Sequence, residues 1–447
     1  MQNNYLKNSK VIYLSLFYFG VSFAMTFHLA NLSIIYKFYG AKNSEIPFLW
    51  LAAPVTGLIV QPLLGQFSDN TITSYGKRRP YMIGCSLFAA ISFFLLPFCQ
   101  TLFWVVVLIW IIDANLNGST ETLRALTSDL FQEMEKSKAF VLQAIFGGMG
   151  AIVGAGLPYL TDKFIQFFPS LFLINFGKIP VNIQVSFFIT GLLIGLMAFL
   201  CIYLIKEHTY NDVDGIKKNY KKSVIDIEMV GYTFKKLWIN IVTSPFQFKK
   251  YCIIHSISWI GIFIFWLYFS TMLDHNMNAT IKETNLTAYQ RIESLSNIAL
   301  AVSFYLSIYQ YSSFVYSLLL YYILSHFEKI KLIHGISVFI GGLGIILISF
   351  PCSATAMVLF MIAVGIMWGS MIMLPYVIVS YVLPKEKVGA YFGIFNISIT
   401  LPQILTGLLL SPLYVYVFKE CTTYLMVLSG TLLICSALFW IREAYLV

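Results

Sequence analysis

The amino-acid sequence predicts an all-α integral membrane protein with twelve transmembrane helices arranged as two six-helix halves. The first observation is composition: of 447 residues, 58% are hydrophobic and only 11% are charged, whereas soluble domains carry about 25% charged residues. The second is that the apolar residues form continuous runs of bilayer-spanning length, without the alternation of barrel strands. The third is a one-sided distribution of basic residues. Together these observations exclude a soluble enzyme, a nucleic-acid-binding protein and a disordered chain.

Twelve apolar segments can be placed along the chain without overlap. The first segment continues past the length of a signal-peptide core and lacks a small-residue cleavage site, so we expect a first membrane span there rather than a removable signal. The predicted spans are 12–36, 46–68, 80–99, 102–130, 139–161, 183–205, 251–274, 296–325, 332–350, 354–383, 389–417 and 423–441.

The longest polar stretch, 206–250, lies between the sixth and seventh predicted spans and holds nine lysines and five acidic residues. This composition is typical of a solvated cytoplasmic linker, within which 230–243 has the pattern of a short amphipathic helix. We therefore predict an N-terminal six-helix half at 1–205, a linker at 206–250 and a C-terminal six-helix half at 251–447.

Basic residues predict the orientation of the spans. With the N-terminus in the cytoplasm, 21 Lys and Arg residues fall on the inner side and 7 on the outer side, while Arg124 lies within a span. This asymmetry follows the positive-inside rule and predicts that both termini are cytoplasmic. The net charge of +9 is then a matter of orientation, and we expect the lipid bilayer and no nucleic acid as a partner. The seven cysteines contain no CxxC pair, which indicates neither a disulfide framework nor a metal site.

A short loop carrying acidic and basic residues follows the second predicted span. It contains Gly65-Gln-Phe-Ser-Asp69 and then Gly76-Lys-Arg-Arg-Pro80, and a weaker version, 325–331, occupies the corresponding place in the second half. Two sets of six spans with a repeated loop are typical of the major facilitator architecture, whose substrate site lies near the midplane between the halves. Charge-assisted bonds across such a loop can hold neighbouring helices in one conformation. The residues that we predict to act in conformational gating, rather than only in anchoring topology, are Asp69, Lys77, Arg78, Arg79 and Asp129.

The fourth predicted span is the one that carries charge inside the membrane. At 100° per residue, Asn117, Glu121 and Arg124 lie about 40°, 80° and 20° around the helix from Asp113, over a rise of about 16 Å. One helix face therefore carries two acids, an amide and a guanidinium group. Asp129 lies about 160° away, near the cytoplasmic end, where we expect it to pair with the basic loop residues.

Charged side chains within a span cost about 2.5–3.5 kcal/mol each on insertion scales, so they face a cavity or each other. A salt bridge between Glu121 and Arg124 would neutralise those two residues without any function. Asp113 has no basic residue within two turns on its own helix. Desolvation favours the protonated form of such a carboxylate, which can then bind and release a proton. We predict proton coupling by Asp113 and sugar or charge contact by Arg124, and leave Glu121 open between ligand and structural partner.

Outside the fourth span, the polar residues within predicted spans are mostly neutral. Amides, hydroxyls and aromatic rings suit a neutral polyhydroxyl ligand, because they supply hydrogen bonds and a flat surface for a pyranose. Trp259, Trp266 and Trp368 could supply such a surface or serve only as packing. With Asn117, Glu121 and Arg124, the residues that we predict to bind substrate are His28, Asn31, Gln310, Asn396 and Gln403, although a lone histidine on an apolar face is more often structural.

These motifs resemble the glycoside–pentoside–hexuronide cation symporters, a family that includes the plant sucrose transporters, and most of all its bacterial branch. The stretches that carry the resemblance are Asn31–Ser33, Leu49–Gly65, Ser68-Asp69, Gly76–Pro80, Asp113 to Asp129, Trp259–Asn276, Leu374–Tyr376, Leu383–Asn396 and Pro402-Gln403. The resemblance implies that Asp113 is the proton-coupling acid, that Arg124 is essential for sugar binding, and that the protein lies in a bacterial cytoplasmic (inner) membrane. It also has departures: His28 stands where the family usually has glutamine, Lys77 replaces an arginine, and Asn70 replaces another.

The leading hypothesis is a secondary active transporter that couples the symport of a glycoside, such as the disaccharides maltose or sucrose, to protons by alternating access. The alternatives are a sodium-coupled carrier, a carrier of a different solute, and a non-transporting sugar sensor on the same fold. We expect a monomer with no cofactor other than the coupling proton and no metal. No Ser/His/Asp, Cys/His or metal-ligand cluster emerges from the sequence, so we do not expect an enzyme.

Overall fold

In a computed structural model, the protein is all-helical, and residues 2–71, 73–131, 133–169, 178–205, 207, 242–277, 288–326, 329–383 and 388–445 are described. Within these residues, twelve helices are long and apolar enough to cross a membrane. They are α1 (Gln2–Phe38), α2 (Ala52–Asn70), α3 (Arg79–Leu95), α4 (Leu102–Leu130), α5 (Glu133–Phe167), α6 (Val181–Leu204), α7 (Phe246–Met277), α8 (Ala288–His326), α9 (Ile330–Ile348), α10 (Ala354–Ser380), α11 (Val388–Pro412) and α12 (Thr422–Tyr445). The predicted fold class is confirmed.

Helix ends differ from the predicted spans where the local chemistry differs from hydropathy. The second predicted span, 46–68, is interrupted: a single turn, Ile46–Leu49, precedes α2. Pro54 accounts for the break, because a proline ring clashes with the carbonyl four residues earlier in a continuous helix. α5 extends beyond the predicted 139–161 at both ends, since backbone hydrogen bonding continues where polar residues lower the hydropathy. Ser353 caps α10 by accepting a hydrogen bond from the Ala356 N–H at 3.2 Å.

The helices fall into two compact units. Unit 1 comprises residues 1–29 and 55–234, and unit 2 comprises residues 30–54 and 235–447. The boundary passes through α1, so the C-terminal part of this helix and the following turn pack with the second-half helices. The predicted division at 205 and 251 stays a prediction, since most of 206–250, including most of 230–243, lies outside the described residues, as do 327–328 and 384–387.

Unit 1 is built around α3, which packs against α4 and α6. Glycines set the closest helix approach in this unit. A Cβ at Gly150 would overlap the carbonyl oxygen of Phe19 on α1, and one at Gly154 would overlap that of Phe23. The small residues on α5 therefore allow its backbone to touch that of α1, as is common in helix packing within membranes.

Unit 2 has a core of its own near one end of four helices. The predicted topology places these helix ends on the cytoplasmic side. α7, α10, α11 and α12 contribute large buried side chains there, among them Phe248, Tyr251, Phe395 and Trp440. At the other end, the segment 30–54 is held by hydrogen bonds and an ion pair: Trp50 Nε1 donates to Ser33 Oγ at 2.8 Å.

The same segment is tied to α7 by two further contacts within unit 2. Ser33 Oγ donates to the carbonyl oxygen of Leu267 at 3.0 Å, and Lys37 Nζ lies 3.5 Å from Asp274 Oδ2. These bonds explain why the end of α1 clusters with the second-half helices.

Candidate functional site

Asp113, an acid of unit 1 with no exposed surface, pairs with a histidine from another helix. His28 Nε2 on α1 lies 3.0 Å from Asp113 Oδ1 on α4, and neither side chain has any exposed surface. Among the described residues, neither side chain forms a hydrogen bond of good geometry, so this 3.0 Å approach is the contact that links the two ionisable groups. The sequence analysis found no basic partner for Asp113 on its own helix, and the structure places one on α1 instead.

A cluster of three phenyl rings packs beside the histidine of this pair. Phe93 on α3 meets the imidazole ring of His28 at 6.5 Å between centroids and an interplanar angle of 69°. Phe27 lies edge-on to Phe187 of α6 at 5.0 Å. All three phenyl rings are fully buried, so the pair lies in an apolar, low-dielectric environment in which an uncompensated charge is costly.

Asn117, one turn along α4 from Asp113, is held by α2. Gln61 Nε2 donates to Asn117 Oδ1 at 2.9 Å, and Asn117 Nδ2 donates to Thr56 Oγ1 at 3.1 Å. Both ends of the amide are therefore engaged. These contacts tie α4 to α2 and position the polar face, and the binding of substrate by Asn117 stays a prediction.

Small residues on α2 keep room in front of that polar face. A Cβ at Gly57 would lie 3.7 Å from Asn117 Oδ1, and a Cβ at Gly65 would lie 3.8 Å from Glu121 Oε1. Glu121 is half-buried and Arg124 is exposed, and Glu121 interacts electrostatically with Arg124. The acid and the guanidinium group are thus near each other and retain accessible surface, in contrast to the closed pair at Asp113.

At the end of unit 1 that the sequence predicts to be cytoplasmic, Arg78 contacts the acidic residues of the loop region. Its Nε donates to Asp129 Oδ2 at 3.0 Å, and its Nη2 contacts Asp69 Oδ1. Its Nη1 donates to Ser68 Oγ at 2.5 Å. Lys77 Nζ lies 3.2 Å from the same Asp129 oxygen. Arg78 is nearly fully buried, so these charge-assisted bonds join α2, the α2–α3 loop and α4 in a single cluster.

Arg79 and Glu207 form a second, reciprocal contact between α3 and the end of α6. The Arg79 guanidinium group donates to the carbonyl oxygens of Cys201 at 3.2 Å and Ile202 at 2.5 Å, where the C-terminus of α6 leaves carbonyls unpaired. In return, Glu207 accepts backbone N–H bonds from Arg78 at 2.9 Å and from Arg79 at 3.2 Å. Each side chain therefore caps the other helix.

The remaining predicted substrate residues lie in unit 2. Asn31 is fully buried on α1 and Gln403 is buried on α11, while Gln310 on α8 and Asn396 on α11 are half-buried. The structure thus brings His28, Asp113, Asn117, Glu121 and Arg124 together in unit 1 and assigns these four amides to unit 2.

Unit 2 also contains three tryptophans, Trp259, Trp266 and Trp368, for which the sequence left open a choice between substrate stacking and packing. Trp266 and Trp368 lie 5.0 Å apart at 80°, and Trp259 lies 5.6 Å from Trp368 at 79°. Tyr309 stacks near Trp368 at 6.3 Å. The contacts between the tryptophans are edge-to-face and typical of aromatic packing, and Trp266 and Trp368 remain half-buried.

A multi-pass protein with a closed acid–imidazole pair, a polar helix face and an arginine cluster between its second and third helices has the features of a membrane transporter. The chain belongs to the Major Facilitator Superfamily, whose family model matches residues 14–407.

Curated relatives are sugar carriers by their names. The chain is 24% identical to sucrose transport protein SUC3 of Arabidopsis thaliana over 42% of this chain and 35% of that protein. It is also 24% identical to the general alpha-glucoside permease of Schizosaccharomyces pombe over 52% and 42% of the two chains. The matched region thus spans less than half the length of these relatives. They are transport proteins, which supports the prediction that this chain is not an enzyme.

Solved structures of low sequence identity share the fold. A variant of the nucleoside transporter NupG superposes with a TM-score of 0.69 at 15% identity, covering 98% of this chain and 100% of that one. A bacterial homologue of the human lysosomal transporter Spinster, in an inward-facing conformation, gives a TM-score of 0.66 at 12% identity over 98% and 97% of the chains.

Sequence reasoning missed two contacts. The first is the pairing of His28 with Asp113, since we assigned the histidine to the sugar. The second is Glu207, which the sequence places in a polar linker with no motif around it. A signal for the first exists in hindsight: an unpaired acid in one span and a lone histidine in another are the natural candidates for a pair.

Proposed function

We propose that this protein is a secondary active transporter that couples the symport of a glycoside, such as the disaccharides maltose or sucrose, to protons by alternating access. The observation that carries the proposal is Asp113, a carboxyl group buried without exposed surface on a helix whose next turns carry Asn117, Glu121 and Arg124. The names of the sugar-carrying relatives support the substrate class. The orientation with cytoplasmic termini, in a bacterial cytoplasmic membrane, rests on the basic-residue asymmetry and the resemblance.

Burial explains why Asp113 suits a proton rather than a permanent charge. An ionised carboxylate in apolar surroundings is strongly disfavoured unless it is paired. Binding a proton removes that cost, and release becomes favourable only when the site meets water or a compensating cation. A group with these properties loads on one side of the membrane and unloads on the other.

The sugar-binding role falls on the open part of the same helix face. Arg124 and Glu121 retain accessible surface and offer both donors and acceptors to hydroxyl groups. Asn117 holds α2 against this face through Gln61 and Thr56. Because Asp113 and Arg124 share one helix, protonation at the first changes the electrostatic balance at the second. Linkage then requires that proton and sugar each raise the affinity for the other.

The direct test is uptake of radiolabelled maltose and sucrose into proteoliposomes under an imposed inward proton gradient. We expect concentrative uptake by the wild-type protein and its loss in Asp113→Asn, with counterflow exchange of sugar retained. Asp162→Asn is the matched control, because Asp162 lies at the far end of α5 and its carboxylate accepts a bond from Gln166 on the same helix. Concentrative, proton-driven uptake by Asp113→Asn at the wild-type level would refute the coupling role.

The same vesicles separate the alternatives. Replacing sodium with potassium at constant pH leaves uptake unchanged if protons are the coupling ion. The same replacement abolishes uptake by a sodium-coupled carrier. A sugar sensor without transport would bind the sugar but give no counterflow.

A further inference from the structure

We infer that His28 and Asp113 bind the coupling proton as a pair, so that His28 is a positioning residue for the proton rather than a sugar ligand. The physiological meaning of this inference rests on the proposed function, but the pair itself rests on geometry. The two side chains come from α1 and α4, approach to 3.0 Å and have no exposed surface.

Charge counting shows what the pair holds. A carboxylate beside a neutral imidazole carries a net charge of −1. One added proton makes the pair neutral, whether it resides on a carboxyl oxygen of Asp113 or forms an imidazolium at His28 facing the carboxylate. A net charge is costly in an apolar site, and a neutral or internally compensated pair is not. The closed site therefore favours the one-proton form, and the proton is taken from water and returned to water with no other atom exchanged.

Among the described residues of unit 1, no other Asp, Glu, Lys, Arg or His contacts the pair. The ring that meets the imidazole from α3 is Phe93, which in turn packs against Phe187 of α6 at 6.1 Å between centroids. The segments 52–68, 80–98, 139–161 and 181–204 contain no Asp, Glu, Lys, Arg or His. On α4 itself, the next charged residues, Glu121 and Arg124, lie about 12 Å and 16 Å further along the axis.

The alternative role for His28, hydrogen bonding to a sugar, fits the geometry poorly. Its Nε2 faces the carboxylate, its ring edge meets Phe93, and the side chain is fully buried. A sugar hydroxyl would have to displace one of these contacts to reach the imidazole. Two ionisable groups in contact titrate as a coupled pair, so replacing one must move the titration of the other.

The experiment is an infrared pH titration of the purified full-length protein in lipid nanodiscs without sugar. The carboxylic-acid C=O band of Asp113 is identified by its loss in Asp113→Asn, and imidazole bands report on His28 by their loss in His28→Gln. His28→Gln keeps an N–H donor but cannot be protonated, whereas His28→Phe removes the donor. His334→Gln replaces another fully buried histidine, on α9, and is the matched control.

In the wild-type protein we expect the Asp113 band and the His28 bands to change over the same pH interval. His28→Phe should move the midpoint of the Asp113 band by at least about 1 pH unit, a change of about tenfold in proton affinity, and His28→Gln by less. His334→Gln should leave it in place. If His28→Phe does not fold, His28→Gln provides the same test. In that variant the imidazole bands should be lost and the midpoint of the Asp113 band should be displaced.

An Asp113 midpoint that is the same in all histidine variants overturns the pair, as does an Asp113 band that does not change with pH. Vesicle uptake separates the two proposals. Proton-driven uptake with an unmoved midpoint refutes the pair and leaves the proposed function standing. A displaced midpoint in a protein without proton-driven uptake keeps the pair and refutes the proposed function.

Discussion

Gly76, in the loop between α2 and α3, is required by two independent features of the structure. Its backbone has φ of +102°, a region in which residues with a side chain are strained. A Cβ at this position would also overlap Oε2 of Glu207 and lie 2.6 Å from its Cδ. Glu207 is the side chain that accepts the N–H bonds of Arg78 and Arg79 at the start of α3. Gly76→Ala is therefore expected to disturb both the loop and the cap.

The two effects set the size of the expected change. Forcing a non-glycine residue into this backbone conformation costs about 1–3 kcal/mol. Displacing the capping carboxylate costs about 0.5–2 kcal/mol, the usual effect of losing an N-cap. Gly76→Ala should thus lower the free energy of unfolding by about 1.5–5 kcal/mol.

The assay is thermal unfolding in detergent, followed with a dye that reacts with cysteines as they become accessible, since Cys85 and Cys201 of unit 1 are buried. Gly84→Ala is the matched control, because a Cβ there meets nothing within 4 Å, and it should unfold at or above the wild-type temperature. Glu207→Ala alone should cost about 0.5–2 kcal/mol.

The double variant Gly76→Ala/Glu207→Ala tests whether Gly76→Ala destabilises the protein by displacing Glu207. If the new methyl group acts by displacing Glu207, the cap is lost only once, and the double variant is less destabilised than the sum of the two single variants by the cap energy, about 0.5–2 kcal/mol. Strict additivity would refute this reasoning, and so would a Gly76→Ala protein as stable as Gly84→Ala.

Three further substitutions test contacts within unit 1 by the same unfolding assay. Asn117→Ala should cost about 1–3 kcal/mol because two bonds to α2 are lost. Asn115→Ala, whose amide donates to the Ile111 carbonyl of its own helix, should stay within about 0.5 kcal/mol, and equal losses would contradict the tie to α2. Arg79→Lys should cost about 1–2 kcal/mol, since one ammonium group cannot make the bonds of the guanidinium group to two carbonyls. Lys77→Arg is its control and should leave the stability unchanged. A larger loss of stability in Lys77→Arg than in Arg79→Lys would contradict the cap. Gly150→Ala should cost about 1–3 kcal/mol by forcing α5 away from α1, and an unchanged melting temperature would show that the helices do not touch there.

Much of the fold was predictable because hydropathy is a local property. Each span can be identified from the hydropathy of a window of about 20 residues, and the twelve helices in the described residues match the twelve predicted segments. The break before α2 was predictable in principle from Pro54, since its effect on the preceding turn is also local. The bounds of α5 were not, because hydropathy falls at membrane ends while the helix continues.

The site was predictable only where its residues share one helix. Asp113, Asn117, Glu121 and Arg124 fall on one face of α4 through the 3.6-residue period alone. The contact between His28 and Asp113 joins residues that are far apart in the sequence, and no period relates them. The partners of Asn117 on α2 could not be predicted for the same reason, and they add a structural role to the ligand role that we predict for it. Asp129 was placed near the basic loop by its helical angle, and it contacts Lys77 and Arg78.

The reciprocal caps of Arg79 and Glu207 bear on where the chain can be cut. A fragment that stops at residue 205, the natural end by hydropathy, would leave the start of α3 without its acceptor, although every membrane span of that half would be present. It would also carry residues 30–54 without the α7 groups that hold them, Leu267 and Asp274. Split-protein experiments on this carrier should therefore place the break beyond Glu207 and express both pieces together.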